Sequence, residues 1–122
     1  MSEHLKEKEI VCHCCGKGFL TPETYNLFEA IRKACGEVLG EDCPIIVSSG
    51  FRCPEHNKAV GGKEHSQHLL GKALDLIQPD KIDFETFYSI CLKCNTFGKT
   101  IAYPEKHFVH VDTKYISDVN NK

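Results

Sequence analysis

The sequence predicts an α+β domain with a small, mostly antiparallel sheet and helices packed on it. Three observations predict this. Apolar residues recur at three-to-four spacing through residues 21–40, the signature of a helix with one buried face. Strict alternation appears in "KALDLIQ" and again in "HFVHVDT", the signature of strands. The order along the chain is helix, strand, loop, strand, helix, strand, strand, which suits a sheet with helices against it. At 122 residues the chain has the size of a single domain, 1–122, with one modest core.

Residues 1–9 are charged and are expected to be a flexible start. "CHCCGKG" reads as a tight, glycine-punctuated turn. The first helix follows, with Thr21 as N-cap and Pro22 in the first helical position. Leu27, Phe28, Ile31, Ala34, Cys35 and Val38 supply its apolar face, and Gly40 suits its exit. "CPIIVSSG" reads as a short buried strand that ends at Gly50. A turn, a short helix from Pro54 and a glycine exit come next, then a loop through "KEHSQHLLG". In "KALDLIQ", Ala73, Asp75 and Ile77 share one face, and Leu74 and Leu76 the other. "DFETFYSICLKCN" predicts a second helix capped by Asp83. "GKTIAYP" and "HFVHVDT" predict two antiparallel strands joined across "PEK". Residues 117–122 are polar and are expected to be flexible.

Composition excludes several functions. The net charge is −2, which leaves no electrostatic footprint for nucleic acid or an anionic membrane. No apolar run approaches the ~20 residues that span a bilayer. "MSEHLKEKEI" lacks the apolar segment of a signal peptide, so the chain is expected to be cytoplasmic at synthesis, and to act as a monomer.

Eight cysteines are many for such a chain. Without an export signal, thiols or metal ligands are expected rather than disulfides. Cys12/Cys15 and Cys91/Cys94 are spaced as paired thiolate ligands, so a second, structural zinc on cysteines such as Cys12 and Cys15 is one reading. Cys14 and Cys53 are further candidates. Cys35 and Cys43 read as small core residues.

The chemistry concentrates in "HSQHLLGKALDL" and "FVHVD". Asp75 and His110 each project from the centre of a strand, where an isolated carboxylate is costly unless it is paired or bound to a metal. His110 shares its face with Phe108 and Asp112. Gly71 lets the backbone turn so that His68 folds back beside Asp75. Taken singly, each is commonly a locally satisfied polar residue. Together, two imidazoles and one carboxylate leave a fourth position open, the catalytic form of a zinc site.

These stretches carry a resemblance. "SSGFRCPEHNKAVGGKEHSQHLLGKALDL" followed by "FVHVD" resembles the zinc D-alanyl-D-alanine carboxypeptidase family and its peptidoglycan endopeptidase relatives, some of them phage endolysins. That group shares a fold with lysostaphin-type enzymes and the Hedgehog signalling domain. The matching pieces are S-G-F-R, S-x-H-x2-G-x-A-x-D and H-V-D, which span residues 48–112. The resemblance implies His68, Asp75 and His110 as zinc ligands and Arg52 as the arginine facing the substrate carbonyl, a role a permanently charged guanidinium suits. It implies a zinc metallopeptidase that cleaves a peptidoglycan peptide, released to the cell wall by phage-type lysis or acting on recycled wall fragments. Family enzymes usually place Glu or Asp three residues before the last histidine ligand, as general base. This chain has His107 there, with Glu105 as the alternative. Strict alternation sets His107 on the face opposite His110, so a bulge or a later strand start is required for it to serve. Without a base, a non-catalytic zinc-stabilised module that binds wall fragments or a protein partner is the other reading.

Overall fold

A computed structural model describes residues 19–61, 68, 71–96 and 98–113. The two ends expected to be flexible, and Cys12, Cys14 and Cys15, lie outside the described residues. Among the described residues, three helices and four strands follow in the order α1 (Pro22–Leu39), β1 (Val47–Ser49), α2 (Pro54–Ala59), β2 (Ala73–Ile77), α3 (Phe84–Cys94), β3 (Lys99–Tyr103) and β4 (Phe108–Asp112). The strands form one sheet in the order β1-β2-β4-β3, every neighbouring pair antiparallel. The α+β class is the one the periodicities predict.

Helix α1 starts after Thr21 with Pro22 in its first turn, and ends at Gly40, whose φ of 72° is left-handed and lets its N–H reach the Gly36 carbonyl. Thr21 occupies the cap position but its side chain makes no cap hydrogen bond; its hydroxyl instead meets that of Thr24 at 2.9 Å. The buried stripe is Leu27, Phe28, Ile31 and Cys35, as predicted, but Val38 is 57% exposed. Leu39, four residues after Cys35, continues the stripe in its place. Helix α3 is capped by Asp83, whose carboxylate accepts from the Thr86 N–H at 3.3 Å and the Thr86 hydroxyl at 2.6 Å. Strands β3 and β4 form the predicted hairpin, with Pro104–Lys106 as a single 3₁₀ turn between them.

The sheet has two unlike faces. Leu74 and Leu76 of β2 and Val109 and Val111 of β4 are fully buried among Phe28 and Ile31 of α1 and Phe87, Ile90 and Cys91 of α3. At ~25 cal/mol per Å² of apolar surface removed from water, this layer is the main source of stability. The opposite face carries Asp75 and His110, side by side in register.

Cys35 and Cys43 are core residues, as expected. Burial, reinforced by the neighbouring Cys43 and Cys94, pushes the Cys35 thiol up to about 12. Burial raises Cys91 as well. Cys91 and Cys94 of α3 therefore lie at the core rather than in a solvent-accessible thiolate pair, and both are free thiols.

Candidate metal centre

Three elements bring the site together. Antiparallel pairing of β2 with β4 places Asp75 directly opposite His110. Directly opposed residues point to the same face, so carboxylate and imidazole must meet. The His110 Nδ1 lies 2.9 Å from Asp75 Oδ1. His68 enters from the segment before β2, and its Nε2 lies 3.3 Å from the same Asp75 oxygen. The two imidazole rings stand edge to face, 5.2 Å between centroids.

The turn that delivers His68 depends on Gly71. Its φ is 68°, and a Cβ there would sit 2.5 Å from the Phe19 carbonyl oxygen. Only glycine accepts both conditions. The Gly71 carbonyl in turn receives the Thr21 N–H at 2.9 Å, tying the start of α1 to the ligand turn.

The residues from Ser49, the last of β1, to Arg52, just before α2, hold the other side. The Gly50 carbonyl accepts a hydrogen bond from His68 Nδ1 at 2.7 Å. A carbonyl only accepts, so Nδ1 carries a proton, and Nε2 is the ring atom that faces Asp75. The Arg52 N–H binds the His68 carbonyl at 3.1 Å. The Arg52 guanidinium donates to Ser49 Oγ at 3.1 Å, Asn57 Oδ1 at 3.2 Å and Asp75 Oδ2 at 3.3 Å.

His110 is held between two carboxylates. Its second nitrogen, Nε2, lies 2.9 Å from Asp112 Oδ2. Asp112 is only 2% exposed, and its backbone carbonyl receives Asn95 Nδ2 at 3.0 Å from the end of α3. Burial alone would raise the Asp75 carboxyl, but hydrogen bonds and charge from His110 and His68 hold it well below the usual carboxylate range. Burial would likewise lower His110, yet hydrogen bonds to Asp112 and Asp75, with their charge, push it up to about 9. Without a metal, His110 is therefore an imidazolium that donates to both acids.

The donor set fits a metal ion. One ligand atom each from His68, Asp75 and His110 lies within 4.8 Å of the others, the one such group of three or more among the described residues. Two imidazole nitrogens and one carboxylate oxygen suit zinc. Each histidine gives its far nitrogen to a fixed acceptor, Gly50 O or Asp112, as metal-ligating histidines generally do. No described cysteine belongs to such a group.

The structure thus brings together Arg52, His68, Asp75 and His110. His107 stands apart. It is exposed in the β3–β4 turn, with φ of 57°, its N–H bonded to the Pro104 carbonyl and its own carbonyl to the Gln78 N–H. It lies three residues before His110, about 10 Å of backbone. Glu105 is exposed in the same turn. Sequence reasoning assigned no role to Asp112, Ser49 or Asn57. For Asp112 the signal was present: an acid two residues after a histidine on a strand shares its face.

Comparison with known proteins bears on this site. A family model described as Peptidase M15 matches residues 3–112, which include every residue of the centre. Searches of curated proteins and of solved structures returned no significant match.

Proposed function

The chain belongs to the peptidase M15 family, and from that premise we propose that it is a zinc-dependent metallopeptidase acting on peptidoglycan stem peptides or cross-links. The observation that supports this reading most directly is the convergence of His68, Asp75 and His110 on one point, each with its second polar atom already held. Such an arrangement is pre-organised, so little reorganisation is needed at the moment of reaction.

When bound, zinc supplies Lewis acidity, polarising the scissile carbonyl and lowering the pKa of the attacking water. The protein's own groups do the rest. Asp75 places a negative oxygen between the two imidazoles and keeps it ionised. Arg52 spends three of its five N–H groups on the protein and retains two to donate to the oxygen that gains charge as water adds to the amide carbon. The base is the one part not already in place: His107 or Glu105, once the hairpin turn carries it to the water, would take one proton and return it to the departing amine nitrogen as the C–N bond breaks. Phe108 and Tyr103, stacked with 4.6 Å between ring centroids, pair two register positions along from His110, on its face of β4, and form an apolar wall for the substrate.

The test is incubation of the purified protein with intact and enzymatically trimmed peptidoglycan, with and without chelator, and product masses read out. A chelator-sensitive new fragment supports the assignment, and its mass identifies the bond. No new product in any condition removes the enzyme reading. One observation favours a second reading. His107 and Glu105, the candidate bases, are exposed in the hairpin turn. A zinc-stabilised module that binds wall fragments without cutting them would show zinc binding and retention on peptidoglycan but no product.

A further inference from the structure

The two oxygens of Asp75 have separate tasks. Oδ1 faces both imidazoles, at 2.9 Å from His110 Nδ1 and 3.3 Å from His68 Nε2. Oδ2 faces the Arg52 guanidinium at 3.3 Å. A carboxylate is free to bind a cation through one oxygen or both. Here a fixed positive charge claims the second oxygen.

We propose that Arg52 is a positioning residue for the metal centre: it holds Oδ2 of Asp75 so that the carboxylate presents one oxygen to the ion and a coordination position stays open. The inference rests on the zinc reading above and deepens it. It assigns Arg52 a task that precedes any contact with substrate.

Arg52 is itself anchored at the two other corners of its fork, by Ser49 Oγ on β1 and Asn57 Oδ1 on α2. Three bonds to three elements fix the plane of the guanidinium. Its side chain is 15% exposed, so its charge is only partly screened by solvent. The same short segment also fixes His68, through the Gly50 carbonyl and the Arg52 N–H. "SGFR" thus acts as a clamp on two of the three ligands, and its arginine is the part that reaches the carboxylate. Lysine would not substitute, because one ammonium on a flexible stem lacks the planar fork that meets three acceptors at once.

The experiment compares wild type with Arg52→Gln and Arg52→Lys, using zinc and cobalt(II) as probes. Zinc affinity is measured by competition with a chromophoric chelator, and cobalt absorption reports coordination number independently of activity. With Arg52→Gln, zinc affinity is expected to fall roughly 10- to 100-fold, the usual loss when an outer partner of a ligand is removed. The cobalt bands should weaken toward those of five- or six-coordinate ion as Oδ2 joins the metal. Arg52→Lys should give the same spectral change with a smaller loss of affinity. Ser49→Ala and Asn57→Ala leave Asp75 untouched but loosen the fork, and each should reproduce part of the effect. Unchanged zinc affinity and unchanged cobalt bands in folded Arg52→Gln, with kcat alone reduced, would overturn the inference and leave Arg52 a substrate-facing group. Wild type that binds neither ion would overturn the metal reading itself, a result told apart at the first titration.

Discussion

His110 is the residue whose state changes most when a metal arrives. In the metal-free protein it donates to Asp75 through Nδ1 and to Asp112 through Nε2, with its pKa pushed up to about 9. Binding through Nδ1 must expel that proton. Zinc association near pH 7 should therefore release close to one proton, measurable by calorimetry in buffers of different ionisation enthalpy. The stability consequence follows in sign. A histidine raised above its unfolded value of ~6.5 stabilises fully below that pH, and the contribution is lost as pH rises through about 9. Asp75, lowered, stabilises above ~3.9 and loses its contribution as pH falls below that value. Metal-free protein should thus be most resistant to denaturant between about pH 4 and 6.5. Zinc affinity moves the other way and strengthens toward pH 9, so denaturation curves with and without zinc should separate as pH rises. A constant separation across that range would show that His110 is not a ligand. Asp112→Asn, which removes the charge but keeps the shape, should weaken zinc binding roughly tenfold.

The turn and the caps carry the predictions at the level of elements. Gly71→Ala places a methyl group against the Phe19 carbonyl in a left-handed backbone, and should cost roughly 2–3 kcal/mol of stability, read from chemical denaturation. Because the same turn delivers His68, zinc affinity should fall with it. Asp83→Ala removes the cap of α3 and should cost about 1 kcal/mol while leaving zinc binding intact, since α3 packs on the face of the sheet opposite the ligands. These elements were legible because each has a local cause. Pro22, Gly40 and Asp83 act within one turn of helix, and alternation in "ALDLI" and "FVHVD" reads directly as two-faced strands. The pairing of β2 with β4 was not legible, since no local signal states which strand lies beside which. That non-local pairing sets Asp75 against His110. Arg52 was legible only through the resemblance, as an arginine facing the substrate carbonyl; its three acceptors come from β1, α2 and β2, and their convergence is a property of the fold.

Across the whole molecule, the sheet separates what stabilises from what reacts. One face of β2 and β4 buries Leu74, Leu76, Val109 and Val111 against α1 and α3, and the other carries Asp75 and His110. A folded scaffold that does not depend on its ligands is expected from this division. His68→Ala should leave a protein that still unfolds cooperatively, but one whose stability no longer responds to zinc. Leu74→Ala empties space in the helix-facing layer and should cost about 2–5 kcal/mol with and without zinc alike. Added zinc at one hundred times its dissociation constant should stabilise wild type and Leu74→Ala equally, by about 2.7 kcal/mol, because ligand linkage depends only on affinity for the folded state. The two variants are thus opposite in signature: one loses the response and keeps the baseline, the other keeps the response and lowers the baseline. Should Leu74→Ala remain folded yet lose zinc affinity, the two faces would be coupled through the strands. The rigidity of β2, rather than the side chains around Asp75, would then set the metal geometry.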